Sequence, residues 1–138
     1  MIRNTQDAKR DKQEVKRNTD KYSPGYQKLL AWQVADELAK AVYEKTSNFP
    51  KEELYGLTSQ LRRAALSVPL NIIEGYARNS KNEFRQFLRI ALGSLAEVGY
   101  LLEFSLAQNY LKEIGFKELM SLRNRCGKLL WKLFQSQS

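Results

Sequence analysis

The chain of 138 residues is long enough for one domain with a substantial core, and its 7 glycines and 3 prolines are too few for a turn-rich all-β protein. It has no histidine and a single cysteine, Cys126, which excludes histidine-based triads, zinc sites built from histidine and cysteine, and internal disulfides. Its 23 basic and 15 acidic residues give a net charge of +8, which predicts attraction to polyanions. These features favour a basic, mostly helical binding protein without a cofactor or metal over an enzyme.

Residues 1–23 are poor in apolar side chains and carry seven basic against four acidic residues. We call this segment the arm. It cannot bury enough surface to order itself alone, and two interpretations stay open: a solubilising tail, or a basic arm that lies along nucleic acid. The arm lacks the apolar region of a secretory signal. The longest apolar stretch, Ile90 to Leu102, is interrupted by Glu97 and falls short of the ~18 residues of a membrane span. We therefore expect a cytoplasmic protein with no membrane partner.

A Ser-Pro-Gly sequence at residues 23–25 ends the arm, and four stretches with helical spacing of apolar residues follow. In chain order, the predicted helices cover about 26–45, 51 to between 75 and 79, 80–108 and 116–134. Each has a stripe of apolar residues expected to face a core, including Leu30 in the first, Leu54 in the second and Cys126 in the fourth. Residues 24–138 are therefore predicted to form one antiparallel up-and-down four-helix bundle.

Local signals refine the second and third helices. Pro69 lies inside the second apolar pattern and is expected to kink that helix without ending it. Ser67 and Asn71 are expected to satisfy the carbonyl that Pro69 leaves without a donor. The sequence from Ser80 to Glu83 has the spacing of a capping box and predicts the start of the third helix.

The second and third predicted helices each have a further apolar stripe opposite the core-facing one. On the second helix it includes Tyr55, Leu66, Leu70 and Ile73, and on the third it includes Gly93, Ala96, Tyr100 and Phe104. A helix that is apolar on two sides is buried on two sides, so we predict that these residues contact another copy of the protein. Scattered surface hydrophobic residues are the alternative.

Several sequence segments together resemble one protein family. They read QLRRAA at 60–65, SVP at 67–69, NI at 71–72, EG at 74–75 and ALGSLAE at 91–97. This combination is similar to the four-helix-bundle proteins encoded in intervening sequences of bacterial 23S ribosomal RNA genes, a family that includes the accessory variability determinants of diversity-generating retroelements. The resemblance implies a ring-like, barrel-shaped homopentamer that associates with nucleic acid. In the retroelement branch it also implies a reverse transcriptase partner, and it brings no catalytic residues.

Two groups of basic residues are candidates for phosphate contacts. The first lies near the turn between the second and third helices and comprises Arg78, Lys81, Arg85 and Arg89. The second lies on the fourth helix opposite its core stripe and comprises Arg125, Lys128 and Lys132. Trp131 lies beside this second group, and residues 121–138 contain no acid, so charge and stacking could combine to hold a strand. A solvated basic face is the alternative. Arginines such as Arg63 could instead pair with Glu74 or Glu97.

Three functions remain open. The first is a non-enzymatic, oligomeric protein that binds RNA or DNA, with structured RNA the favoured target. The second is a scaffold that docks a reverse transcriptase. The third is a purely structural bundle. Glu74 and Glu97 make a poor catalytic or metal pair, because the chain has no histidine to complete a site.

Overall fold

The computed structural model describes residues 25–138, so the expectations for the arm lie outside the described residues. Four helices follow one another: α1 (Leu30–Thr46), α2 (Leu57–Ala77), α3 (Lys81–Ala107) and α4 (Glu113–Ser136). Short 3-10 turns, Gly25–Lys28 and Lys51–Glu53, precede α1 and α2. No strand occurs within residues 25–138, and the predicted all-α fold with four helices is confirmed.

Side-chain contacts establish that successive helices run antiparallel. Arg62, near the start of α2, donates from Nε to Thr46 Oγ1 at the end of α1, 2.9 Å away. Arg85, near the start of α3, donates from Nη1 to the carbonyl of Phe134 at the end of α4, 3.4 Å away. Each helix packs on its neighbours in the chain, and α4 closes the bundle against α1.

The core consists of one apolar stripe from each helix, as the helical spacing predicts. Its largest fully buried apolar side chains are Leu38, Val42, Leu61, Val68, Ile72, Leu88, Val98, Leu102, Leu119 and Leu130, together with Cys126. Burial of Cys126 raises the pKa of its thiol to about 12, because the charged thiolate would lose its hydration. The cysteine is therefore a small core residue, as expected.

The expected start of the second helix is wrong. Residues 51–53 form a 3-10 turn, and α2 begins only at Leu57. Glu53, expected inside the helix, instead accepts a hydrogen bond at Oε2 from the backbone N–H of Leu57 over 3.0 Å, which satisfies a free donor of the first turn. Leu54 consequently leaves the core and is 47% exposed, and Tyr55 lies in the turn before α2 with 94% of its surface exposed.

The expected start of the first helix is also wrong, because a 3-10 turn occupies Gly25–Lys28 and α1 begins at Leu30. Leu30 is the first helical residue and its side chain is 59% exposed, so it does not belong to the core stripe. In α4, Leu122 and Leu133 are half-buried instead of fully inside.

Gly75 lies inside α2 and does not mark its end. A Cβ atom at this position would stand 2.8 Å from Phe87 Cβ and 3.3 Å from the Phe84 carbonyl oxygen. Glycine is therefore needed for the close approach of α2 to α3. The helix ends at Ala77, and Asn79 follows with a φ of 58°, a left-handed conformation that asparagine tolerates at a helix end.

Helix α2 continues through the buried Pro69, as the resumed periodicity predicts. The expected role of Ser67 and Asn71 is wrong, because Ser67 Oγ bonds to Ser94 Oγ and Asn71 bonds to Ser67. Asn71 Nδ2 donates to the Ser67 carbonyl oxygen (2.8 Å) and to Ser67 Oγ (2.9 Å). The carbonyl that loses a donor to Pro69 belongs to Ala65, four residues earlier. The carbonyl that Asn71 contacts is that of Ser67, two residues after Ala65. The cap at Ser80 is confirmed by its hydrogen bond from the Glu83 N–H at 3.4 Å.

By length and composition alone, α3 is long and apolar enough to cross a membrane, a test that core helices of soluble proteins also pass. No span was expected from the sequence. The apolar stretch is longer than expected because α3 is apolar on two sides and few charges interrupt it. One of these sides, including Leu88, Leu95 and Leu102, is buried in the bundle.

Candidate functional surfaces

An apolar surface covers the outside of the α2–α3 pair, and we call it the outer face. Its α2 members are Leu66, Leu70 and the half-buried Ile73, and its α3 members are Gly93, Ala96, Tyr100 and Phe104. Tyr100 is 63% exposed, and its ring lies 6.2 Å from that of Phe104. Of the residues predicted for this surface, only Tyr55 lies off the two helices.

Gly75 lies between α2 and α3 and Gly93 lies on the outer face, so the two glycines have different surroundings. A Cβ added at Gly93 would have no neighbouring atom within 4 Å, whereas one at Gly75 would collide with α3. Packing within the bundle therefore explains Gly75 and leaves Gly93 unexplained. A small residue on the outer face is consistent with close approach of another chain.

A groove of about 700 Å³ runs along the outer face between α2 and α3. Ser67 and Ser94 meet in it with their hydroxyl oxygens 2.8 Å apart, which ties the two helices together. Arg63 and Glu97 also line the groove, and neither forms an ion pair with any residue of 25–138. The groove therefore carries one positive and one negative charge that no residue of 25–138 neutralises.

The ion pairs expected for Arg63 do not form within residues 25–138. Glu74 pairs with Arg78 of the same helix, Oε1 to Nη2, at 2.8 Å. The neighbouring Arg62 binds back to α1, with its guanidinium 4.6 Å from the centre of the Tyr43 ring. The structure therefore gives Arg62 a structural role between α1 and α2 and leaves Arg63 without one.

In the first group of basic residues, Arg78 and Arg85 are held by contacts inside the molecule, whereas Lys81 and Arg89 are more available to a ligand. Arg78 is held by Glu74 and lies 5.2 Å from the centre of the Phe87 ring. Arg85 lies 4.0 Å from the centre of the Phe134 ring. Lys81 is exposed and has no ion pair with the described residues, and Arg89 is exposed at 5.6 Å from the same Phe134 ring. Lys81 and Arg89 are the better phosphate candidates of this group.

The second group forms a continuous basic stripe on α4. Arg125, Lys128 and Lys132 are all exposed, and none forms an ion pair within residues 25–138. Arg125 and Lys128 also line a shallow groove of about 500 Å³ along the helix. The prediction that these three side chains point away from the core is confirmed by their exposure, whereas their binding role stays a prediction.

One basic residue of α4 has a structural role that the sequence pattern does not indicate. Arg123 donates from Nε to the Leu95 carbonyl of α3, 3.2 Å away. Gly99 provides the space for it, because a Cβ there would lie 3.1 Å from Arg123 Nε. The signal for this contact in the sequence is Gly99, one helical turn after the core residue Leu95. A glycine alone does not indicate which side chain occupies the space beside it.

The structure also joins the two groups of basic residues, which the sequence treats separately. Trp131 of α4 is 49% exposed and stacks on Phe134, with ring centres 5.4 Å apart and an angle of 29° between the ring planes. Phe134 in turn receives Arg85 and Arg89 from α3. The exposed ring of Trp131 thus packs on a buried ring that is contacted by two arginines of α3. Within residues 25–138, no cluster of three metal-binding side chains occurs.

Comparison with known proteins agrees with this architecture. A family model described as "23S rRNA-intervening sequence protein" matches residues 27–132. A crystal structure of a protein with unknown function from the S23 ribosomal protein family of Bacteroides thetaiotaomicron superposes with a TM-score of 0.70 at 21% identity, over 77% of this chain and 96% of that chain. At this identity the likeness supports the fold alone. No curated protein matches the chain.

Proposed function

The chain belongs to the family of 23S rRNA-intervening sequence proteins, and on that premise we propose that it is a non-enzymatic, oligomeric nucleic-acid-binding protein with structured RNA as its target. The basic stripe of α4 is the observation that carries this proposal. Arg125, Lys128 and Lys132 offer three cations along one helix face, and none of them has an ion-pair partner in residues 25–138. Phosphate contacts of this kind supply most of the sequence-independent affinity for nucleic acids.

Assembly is the second part of the proposal. The outer face of α2 and α3 leaves Leu66, Leu70, Tyr100 and Phe104 in water, and burial of such area is favourable by roughly 25 cal/mol per Å². A second copy of the chain covers this face in our proposal, and the family resemblance favours a ring-like homopentamer. A ring repeats the α4 stripe on every subunit, so several weak patches could hold one strand together.

A mobility-shift titration tests the binding. The full chain is titrated into a structured RNA and into a duplex DNA at about 50 mM salt, where phosphate contacts are strong. We expect complexes with both and tighter binding to the RNA. If neither the RNA nor the DNA forms a complex at tens of micromolar protein, the proposed function is overturned. Light scattering on the same sample tests assembly separately, and the 16.0 kDa mass of one chain would contradict it.

The scaffold hypothesis predicts something different, namely that the chain binds a reverse transcriptase and not free nucleic acid. Neither the family description nor the structural relative names such an enzyme, and no described surface favours it over RNA. Binding of the isolated chain to RNA would therefore favour the proposed function directly.

A further inference from the structure

Among the described residues, the exposed indole of Trp131 packs against one aromatic ring. Phe134, which is itself 6% exposed, stacks against Trp131 at 5.4 Å between ring centres and an angle of 29° between planes. About half of the Trp131 surface nevertheless faces solvent. A buried ring thus holds an exposed ring in place, which limits the motion of Trp131 and keeps part of its π surface available.

Cations lie close to the Phe134 ring of this pair. Arg85 lies over Phe134 at 4.0 Å and also donates to the Phe134 carbonyl oxygen at 3.4 Å, so it fixes the end of α4 against α3. Arg89 approaches the same ring at 5.6 Å and is exposed. Lys128 lies three residues before Trp131, and residues at this spacing are neighbours on a helix surface. No acidic side chain occurs in residues 121–138 to neutralise these charges.

The geometry points to Trp131 as a stacking platform for an unpaired nucleobase, with Arg89 and Lys128 contacting the phosphates on either side of it. Arg85 and Phe134 are positioning residues that hold the indole. The inference rests on the proposed function and specifies its ligand: single-stranded nucleotides, including the loops and bulges of a structured RNA.

Chemistry favours a single strand over a duplex at this position. Stacking on an aromatic side chain requires a base with a free face, and every base offers one when it is unpaired and unstacked. Bases inside a duplex are already stacked on their neighbours. Cations alone would hold either form through its phosphates, so the ring is the feature that distinguishes the two.

The test compares two probes on the full chain: a single-stranded oligothymidylate of about 15 nucleotides and a blunt duplex of the same length. Trp131→Ala is expected to weaken binding of the single strand about 5- to 150-fold, the range measured for loss of one base–aromatic stack. Its affinity for the duplex is expected to stay within about 2-fold, because the cations that bind phosphates remain.

Fluorescence adds a direct readout of the ring. The oligothymidylate is expected to quench the tryptophan emission of the unmodified chain. The Trp131→Phe variant keeps only Trp32 and is expected to lose that quenching while keeping more affinity than Trp131→Ala. Tyr43→Ala is the matched control, because Tyr43 is an exposed aromatic residue of α1 with the Arg62 guanidinium 4.6 Å from its ring centre, and it is expected to leave both affinities unchanged.

The outcomes separate the site from the function. If Trp131→Ala binds the single strand as tightly as the unmodified chain, while joint replacement of Arg125, Lys128 and Lys132 by Gln weakens both probes, the stacking site is wrong and the proposed function stands. Equal weakening of both probes by Trp131→Ala would also overturn the site. If the unmodified chain binds neither probe, both the site and the function fail.

Discussion

The outer face of α2 and α3 and the basic stripe of α4 lie on the same bundle but differ in chemistry. The first exposes Leu66, Leu70, Tyr100 and Phe104, whereas the second exposes Arg125, Lys128 and Lys132. In both cases the opposite side of the helix is buried in a shared core. The core therefore explains the fold. The solvent-facing sides of the helices are free to differ in chemistry, and so in the kind of partner that each could bind.

The difference indicates two separate tasks. An apolar face gains free energy when another protein surface removes it from water, but it offers little to a polyanion. A basic stripe without acidic residues gains from releasing counterions of nucleic acid, but it would repel an identical stripe on another copy. We therefore propose that the outer face serves assembly and that α4 binds phosphates, and the following changes test this division.

The largest expected effect is the loss of assembly in Tyr100→Glu. This change would bury an unpaired carboxylate between subunits, which is strongly unfavourable. We expect light scattering to report the mass of one chain for this variant and a larger mass for the unmodified protein. Ile114→Glu is the control, because Ile114 is an exposed apolar residue of α4 away from the outer face. If both variants keep the mass of the unmodified protein, the outer face is not the interface.

A reciprocal charge change at Arg63 and Glu97 should have the next largest effect. The two side chains line one groove and make no ion pair within residues 25–138, so in an assembly each can pair with its opposite on a neighbouring copy. Arg63→Glu and Glu97→Arg are each expected to weaken assembly, and the double variant is expected to recover it. Close interfacial charge pairs couple by roughly 1.5–7 kcal/mol.

Sedimentation at a series of protein concentrations measures this coupling. Additive weakening in the double variant would mean that Arg63 and Glu97 do not meet across the interface, even if the outer face is used.

Alanine at the two glycines compares packing inside the bundle with packing outside it. Gly75→Ala is expected to lower the free energy of unfolding by about 1–3 kcal/mol, because its Cβ overlaps α3. Gly93→Ala is expected to raise it by up to about 1 kcal/mol, since it improves helix propensity in open space. Urea denaturation in the Tyr100→Glu background excludes any contribution from assembly. A similar loss at both positions would contradict the distinction.

The smallest expected effect concerns Cys126, which lies under the basic stripe in the core. Burial raises the pKa of this thiol from 9.0 to about 12, so at pH 8 its thiolate fraction is on the order of 1,000-fold smaller than in the unfolded chain, and its reaction with a thiol reagent should be slower in proportion. Joint replacement of Arg125, Lys128 and Lys132 by Gln is expected to leave that rate unchanged. Faster labelling of the variant would mean that these residues also stabilise the fold.

The same pKa shift predicts how stability depends on pH. The folded pKa lies above the unfolded value, so the protonated thiol is favoured in the folded state. Its contribution is complete below pH 9.0 and is lost as the pH rises towards about 12. Cys126→Ala should remove this part of the alkaline decline in the midpoint of urea unfolding.

The sequence was sufficient to predict the helices and most of the core, because the spacing of apolar residues is a local property of the chain. Leu61, Leu88, Leu102 and Cys126 are all buried as that spacing requires. The sequence pattern was misleading at the start of α2. Acidic residues in the first turn of a helix cannot be distinguished by sequence from acidic residues of the preceding turn that accept a hydrogen bond from the helix N-terminus. Glu53 lies in the preceding turn and accepts such a hydrogen bond. Leu54 and Tyr55 therefore lie before α2 and not on its first turns.

The candidate surfaces were predicted only in part. Exposure of Arg125, Lys128 and Lys132 follows from their position opposite the core stripe. The contact between Arg85 and Phe134 does not, because the two residues are 49 positions apart and no periodicity links them. Such contacts decide which arginines are held inside the molecule and which remain available, and they depend on how the helices are arranged in space.

The salt dependence of nucleic-acid binding tests the central division most directly. The logarithm of the binding constant for a duplex is measured against the logarithm of salt concentration for the unmodified chain and for the variant with Arg125, Lys128 and Lys132 replaced by Gln. A control variant has three exposed lysines outside the α4 stripe replaced by Gln: Lys51 and Lys112, which have no ion pair within residues 25–138, and Lys40, which pairs with Asp36. Each phosphate contact contributes roughly −0.9 to this slope for duplex DNA. We predict that only the α4 variant loses slope, by roughly 2 to 3 in magnitude. Equal slopes for all three proteins, or equal losses in both variants, would contradict the assignment of phosphate binding to α4.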